Sequence, residues 1–270
     1  MHKEITMKLK TILLISILLI LPFNAFAFDH SHKAFTNILQ QHVKILNNGL
    51  ESKVDYAALK KSPLMLNNYL KTLSDVKKDH FSTWPEEKRL AFLINAYNAF
   101  TIELILKNYP VKSIRKIGSI GSSPWKIKFI KLLGETISLD EIEHGMVREK
   151  GIYDEPRIHF ALVCASTGCP ALQNKAFTYD KLETMLEKGL VNFLSDKTRN
   201  RFNQKKNRFE ISKIFKWYGG DFNPTYGSVK GLLTKYKRVL IVNKNDLGAA
   251  AKATKIKYLN YDWNLNKLSH

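Results

Sequence analysis

The strongest periodic feature of the chain runs from Pro85 to Pro110. Between them, EEKRLAFLINAYNAFTIELILKNY carries acids in its first turn and is then apolar on nearly every side, which predicts a long helix buried in the middle of a domain. Phe35 to Leu46 predicts an amphipathic opening helix, broken at Gly49 and followed by a short V-D-Y segment at Val54–Tyr56. A further helix is expected from Pro63 to Leu73, whereas Ile114–Ile120 and Trp125–Ile130 read as extended or irregular connections. Ser138 is placed to cap a helix with the sequence LDEIEHGMVREK.

R-I-H-F-A-L-V-C, residues 157–164, is short, apolar and bounded by Pro156 and Gly168, and it reads as a buried strand. Tyr179 to Leu194 predicts a helix with Thr178 at its N-cap, and residues 200–212 predict a hairpin turning near Lys205 to Asn207. Ser212 then caps the short turn I-F-K-W-Y. The tail predicts a helix at Val229–Tyr236 and strands at Val239–Val242 and Ile256–Tyr261. Helices outnumber strands and no repeat or low-complexity seam interrupts residues 28–270, so the expected class is α+β. The architecture is a mostly helical single domain packed around a small antiparallel or mixed sheet.

The first residues follow a different pattern. Lys3, Lys8 and Lys10 precede an apolar stretch from Thr11 to Leu21, then come Pro22 and the small residues Ala25 and Ala27. This is the layout of a secretory leader cleaved after Ala27, with the apolar stretch short for a bilayer span. Periplasmic or secreted localisation follows, with no transmembrane segment after leader removal. Composition agrees with a globular protein: 44% of the 270 residues are hydrophobic and 25% charged, which excludes collagen-like, coiled-coil and low-complexity classes. Lys and Arg outnumber Asp and Glu 43 to 24, for a formal charge of +19. The surplus is scattered (Lys112, Lys116, Lys126, Lys128, Lys205, Lys206, Lys235, Lys237), so it reads as a solvated basic face, with no nucleic-acid partner implied.

Two constellations could carry chemistry. On a helical wheel of residues 139–148, Glu143 falls inside the apolar arc of Leu139, Ile142, Met146 and Val147, while His144 and Arg148 sit beside each other on its rim. A buried carboxylate must be paired, hydrogen-bonded or protonated; Arg157 and Arg89 are the expected partners in a purely structural role, and catalysis or ligand positioning is the other reading. The second is the strand and loop ending in C-A-S-T-G-C. Cys164 and Cys169 are the only cysteines, and export leaves three readings open: a disulfide, a reactive thiol with backbone amides nearby, or inert buried thiols. Strand alternation would point His159 away from Cys164, so the base for Cys164 is expected from another element, His144 being the nearest in sequence.

Asn95 and Asn98 lie one turn apart on the long helix and must find partners, in the core or on a ligand. Trp217, Tyr218 and Asp221 in W-Y-G-G-D-F could line a pocket. Phosphate-loop, dinucleotide, zinc-protease and serine-hydrolase motifs are absent, and no Cys/His set has structural-zinc spacing, so no cofactor or metal is expected.

V-D-Y at 54–56, R-L-A-F-L-I-N-A-Y-N-A at 89–99, S-L-D-E-I-E-H-G-M-V-R at 138–148, R-I-H-F-A-L-V-C-A-S-T-G-C-P-A-L at 157–172 and I-F-K-W-Y-G-G-D-F at 214–222 together resemble the domain of unknown function 547 family, over about residues 54–236. The resemblance implies that Glu143, His144, Arg148 and Cys164 belong to that family's signature, and its glutaredoxin-linked members imply thiol or glutathione-like chemistry. It supplies no activity. The expectation is an exported cysteine-dependent transferase or hydrolase acting on a peptide-like or thiol-containing substrate. Cys164 would attack, His144 accept the proton, Glu143 or Asn95 orient it, and Arg148 and Arg157 bind a substrate carboxylate. Asn98, His159, Trp217 and Asp221 complete the substrate-binding set. The alternatives are a non-catalytic binding module for a small anionic or peptide ligand, and a Cys164/Cys169 redox protein.

Overall fold

The computed structural model describes residues 28–119 and 121–269; the leader expected over residues 1–27 lies outside them. The Glu86–Asn108 helix is the axis of the molecule, buried from Leu90 to Ile102 without interruption. Its interior holds Asn, Tyr, Phe and Thr, weak helix formers that cost up to about 0.7 kcal/mol each. Burying one large apolar side chain is worth about 1.5–3 kcal/mol, so packing and not propensity holds this helix. It is long and apolar enough to cross a bilayer, but 89% of that window is already covered by protein.

Around it pack the Tyr56–Lys61 and Leu64–Ser74 helices and the Leu139–Ile142 turn, and the Lys33–His42 helix packs on the first two of these. Asp55 caps the Tyr56–Lys61 helix by accepting from the Ala58 N–H at 2.9 Å. A second apolar cluster, centred on Phe160, Phe193, Phe209, Phe215 and Phe222, lies between the Leu182–Ser195 helix and a three-stranded sheet. That sheet is mixed: Arg201–Asn203 runs antiparallel to Arg208–Ile211, which runs parallel to Lys255–Tyr258. The remaining strands form two antiparallel hairpins, Val43–Leu46 with Glu51–Val54 and Ile130–Leu132 with Glu135–Ile137. The α+β class and the mixed sheet are as the sequence implies.

The tail after Tyr258 ties the two clusters together. Leu259 N–H bonds to Ile211 O at 2.7 Å, and further along Asn266 and Leu268 bond to Val54 at 2.8 Å each. Between these points the strap receives the Gly168 N–H at Asp262 O and the Thr167 N–H at Asn264 O, both at 2.8 Å. Gly168 is required there, because a Cβ would stand 2.9 Å from Asp262 O.

Several expected elements differ. Residues 157–164 are not a strand: Pro156–Phe160 is a 3-10 turn, with Pro156 in its first turn and the Glu155 carboxylate accepting from Arg157 N–H at 2.9 Å, and the chain to Cys164 is irregular. Its backbone needs no sheet because Asn98 supplies the hydrogen bonds, so a short apolar run of strand length was ambiguous by periodicity alone. Val239–Val242 is not a strand either. Lys237–Leu240 makes a helical turn that buries Leu240 and leaves Val242 78% exposed, while the place beside Arg208–Ile211 is taken by Lys255–Tyr258. The opening helix stops at His42, and its expected last turn is the strand Val43–Leu46, returned by Asn47, Asn48 and Gly49 at positive φ. The hairpin at residues 130–137 lacks the usual turn signal in the sequence, because its turn puts Leu133 at φ 53°, where Asn or Asp is the common residue. Thr178 holds the N-cap position without capping; its hydroxyl is buried with no partner.

Candidate active site

One wall of the site grows from Ser138. Its hydroxyl and Glu141 form a reciprocal capping box that starts the Leu139–Ile142 helix, which widens into a π-helical turn over Glu143–Val147. The wide turn, closed by Arg148 N–H on Glu143 O at 2.9 Å, sets Asp140, Glu143 and His144 along one cavity. Glu143 is 7% exposed, as its place in the apolar arc requires. Its partner is the Tyr218 phenol, not Arg157 or Arg89; burial and this carboxylate push Tyr218 well above the ordinary phenol range. Arg157 is consumed elsewhere, by Glu155 and Glu183 at 2.6 Å and Glu187 at 3.3 Å, and its proton is held correspondingly tighter.

The facing wall is the loop 161–170. Asn98, 3% exposed, donates to Ala161 O and accepts from Val163 N–H, both at 2.9 Å, so the long helix grips the backbone directly ahead of Cys164. Asn95 does the same one turn earlier, donating to Phe177 O at 2.7 Å and accepting from Phe177 N–H at 2.9 Å. Both amides serve backbone and neither lines the cavity, which removes them from the substrate-binding set. After Cys164 the chain passes through Ala165 at φ 60°. Asn266 N–H on Ala165 O, at 3.1 Å, and the Gly168 contact with the strap then curl the loop so that Cys169 returns beside Cys164. Arg199 fixes the far end, donating to Cys169 O and Leu50 O while paired with Asp196.

The result is a knot of four polar atoms. Both cysteines are free thiols. Cys164 Sγ lies 3.1 Å from Ser166 Oγ and 3.4 Å from Tyr261 Oη; Cys169 Sγ lies 3.4 Å from Ser166 Oγ and 3.1 Å from Tyr261 Oη, and accepts the Cys164 backbone N–H at 3.2 Å. With one proton removed, the thiol, the two hydroxyls and the amide can all point at a single sulfur. Burial opposes ionisation of Cys169, but donation from Cys164, Ser166 and Tyr261 outweighs it and holds the thiol at about 6, while Cys164, the donor, is pushed well above the ordinary thiol range. Because it alone accepts the Cys164 backbone N–H, Cys169 is the better placed of the two sulfurs to hold the pair's charge, where the sequence pointed to Cys164 as the reactive thiol. Among the described residues, no imidazole hydrogen-bonds either sulfur. His144, expected as base to Cys164, bonds through Nδ1 to Arg148 instead.

His159 comes from the 3-10 turn and is 5% exposed. Its Nε2 lies 2.8 Å from Asp221 Oδ2, and its ring stacks on Tyr218 at 4.0 Å between centroids. Arg148 clamps the same carboxylate through two bonds of 2.6 and 3.0 Å and lies over the Tyr218 face, 4.8 Å from its centre. Burial lowers His159 against the pull of Asp221, while burial would raise Asp221 but His159 and Arg148 together hold it far below the carboxylate range. Arg148 and Arg157 are thus both committed to carboxylates of this chain and neither waits for a substrate.

Cys164, Cys169, His144, His159, Glu143 and Trp217 all line one cavity of about 240 Å³. Because residues 156–160 form a turn, His159 and Cys164 face the same space, against the expectation from strand alternation. Asp221 stands behind His159, outside the lining. Sequence reasoning missed Asp140, Tyr97, Tyr261 and Trp263. Tyr261 and Trp263 pack with tilted rings at 4.5 Å and meet Trp217 at 4.9 and 5.6 Å, with Trp125 5.8 Å from Trp263. They reach the cysteines from nearly a hundred residues away, so only the aromatic spacing in Y-D-W hinted at a packed face. Among the described residues, no group of three or more His, Cys, Asp or Glu side chains is arranged to hold a metal.

No curated protein and no solved structure matches this chain. Three of the blocks quoted above, at 89–99, 138–148 and 157–172, fall inside one matched family segment that contributes both cavity walls. That segment, residues 81–194, matches the model of the family described as protein of unknown function, DUF547, the family that the sequence blocks resemble.

Proposed function

We propose that the cavity is the active site of an exported cysteine-dependent transferase or hydrolase acting on a peptide-like or thiol-containing substrate. The observation that carries the reading is the convergence of the Cys164 N–H, Ser166, Tyr261 and the Cys164 thiol on Cys169 Sγ, which supplies a thiolate near neutral pH without a histidine base. The thiolate adds to an acyl carbon, the S–C bond forms, and the bond to the leaving group breaks. The leaving group departs as an anion; water or a second nucleophile then adds to the acyl carbon and gives its proton to an imidazole lining the cavity, His144 or His159, as the Cys169 thiolate is released. The lining holds Asp140 and Glu143 and no lysine or arginine, so a neutral or cationic substrate fits better than an anionic one. This weighs against the anionic-ligand binding module and against glutathione.

The test is covalent capture. A peptidyl thioester is expected to leave one acyl group on the native protein at pH 7, mapped by mass to Cys169 or, by exchange, Cys164, and Cys169→Ser is expected to abolish it. Absence of any adduct on correctly folded protein refutes the reading. A second reading, a dithiol redox pair, is favoured by the contact between the two thiols. It is distinguished by a reversible loss of two hydrogens from the intact mass under mild disulfide oxidant, with no acyl adduct.

A further inference from the structure

The first three described residues, Phe28-Asp29-His30, take no part in the thiol cavity. His30 packs edge-on against Trp84, with 4.4 Å between ring centroids, and its Nδ1 is buried with no hydrogen-bond partner. A buried nitrogen left unsatisfied is uncommon enough to ask what would satisfy it, an ion among the answers. Among the described residues, the backbone N–H groups of Asp29 and His30 also have no acceptor; the Asp29 carboxylate is turned forward to the Ser31 and Lys33 amides at 2.9 and 3.2 Å. The neighbouring His32 does not take its place: its Nδ1 is engaged by Tyr69 Oη at 2.7 Å, and its Nε2, although also buried without a partner, is on the far side of the ring and cannot close a chelate with the backbone nitrogens.

We propose that leader removal after Ala27 creates a square-planar copper(II) or nickel(II) site at the new N-terminus. Hydrolysis of the Ala27–Phe28 bond consumes one water and frees the Phe28 amine. That amine, the backbone nitrogens of Asp29 and His30, and His30 Nδ1 are four nitrogen donors spaced along one chain. Round a metal they close two five-membered rings and one six-membered ring. The geometry demands a histidine third from a free amine, because Nδ1 closes the last ring and one residue more or less breaks the series. Before cleavage the Phe28 nitrogen is an amide and the site does not exist.

Binding releases the two amide protons, and one more if the amine is charged, so a divalent ion leaves the chelate with no net charge. Displacing amide protons needs an ion that prefers four planar nitrogens. Copper(II) and nickel(II) do, copper(II) standing highest in the affinity order of divalent ions, whereas zinc(II) has no such preference. The donors precede the Lys33–His42 helix, so the chelate forms without breaking a helix or a strand. The site shares only the expectation of export with the thiol reading and survives its failure.

The experiment uses protein exported with its own leader, both cysteines alkylated so that sulfur neither binds nor reduces copper. Intact mass is expected to place the N-terminus at Phe28. Titration with copper(II) against glycine as competing chelator is expected to load one equivalent, with the violet absorption and four-nitrogen hyperfine pattern of a planar site. Two variants with unchanged circular dichroism should lose that equivalent: His30→Ala, and a leaderless protein retaining its initiator methionine before Phe28, which makes His30 the fourth residue. The proposal is overturned by an N-terminus other than Phe28, by a Phe28 terminus that binds no copper, or by a methionine-extended protein that keeps the planar signal.

Discussion

Tyr261→Phe removes one oxygen from the sulfur knot and keeps the ring that packs on Trp217 and Trp263 at 4.9 and 4.5 Å. The lost hydroxyl stands 3.1 Å from Cys169 Sγ. A hydrogen bond to a charged group is worth about 1.5–3 kcal/mol, and about 1.4 kcal/mol corresponds to one pKa unit, so the anion should become harder to form by about 1–2 units. Ser166 and the Cys164 N–H remain as donors, which favours the lower end. The first ionisation of the thiol pair is therefore expected to move from about 6 to about 7. The assay is the rate of iodoacetamide alkylation against pH, with the labelled cysteine identified by peptide mass. At pH 7 the thiolate fraction should fall from most of the protein to about half. The same shift has a stability counterpart. Cys169 is lowered in the folded state, so its contribution is present above the unfolded thiol value of about 8.5 and is lost as pH falls through about 6. Thermal stability of the reduced protein should rise across that window, and less steeply in Tyr261→Phe. An unchanged alkylation midpoint in the variant would show that the phenol does not hold the anion, and the account of the pair would have to be abandoned.

Three further outcomes follow from the same geometry. Asn98→Ala leaves Ala161 O and Val163 N–H unpaired in the interior; at about 1–3 kcal/mol each the loss should be about 2–6 kcal/mol in urea unfolding, and a loss under 1 kcal/mol would mean the loop holds itself. Arg157→Ala should cost about 2 kcal/mol, because the guanidinium is largely buried although Glu183 is mostly exposed, and should leave the alkylation profile of the cysteines untouched; a shifted profile would restore Arg157 to the site. His32 is 1% exposed and burial lowers it to about 3, so the unfolded chain takes up a proton there that the folded chain refuses. Its contribution is complete above about 6.5 and is lost as pH falls toward about 3, and His32→Gln should flatten the fall of melting temperature over that range. An identical slope in the variant would assign the acid sensitivity to other groups.

What the chain determined unaided is local. Pro85, the acids after it and Pro110 bound the long helix, Ser138 starts the next, Lys205–Asn207 turns the hairpin, and Glu143 sits on the apolar arc. Each rests on residues within a few positions of one another, where periodicity and capping act directly. Cys164, Cys169, His144 and His159 were legible as candidates for the same reason, since their types and spacing carry chemistry before any fold is known. Their roles were decided only in three dimensions. Whether 157–164 was strand or turn depended on Asn98 offering its amide to the backbone, sixty-odd residues away in sequence. How the pair of sulfurs holds its charge depended on Tyr261 arriving along a C-terminal strap, and whether Arg148 and Arg157 were free depended on Asp221, Glu183 and Glu187 reaching them first. Hydrogen bonds and ion pairs are short-range and directional, so a partner distant along the chain leaves no periodic trace in it, and tertiary packing alone selects which donor meets which acceptor.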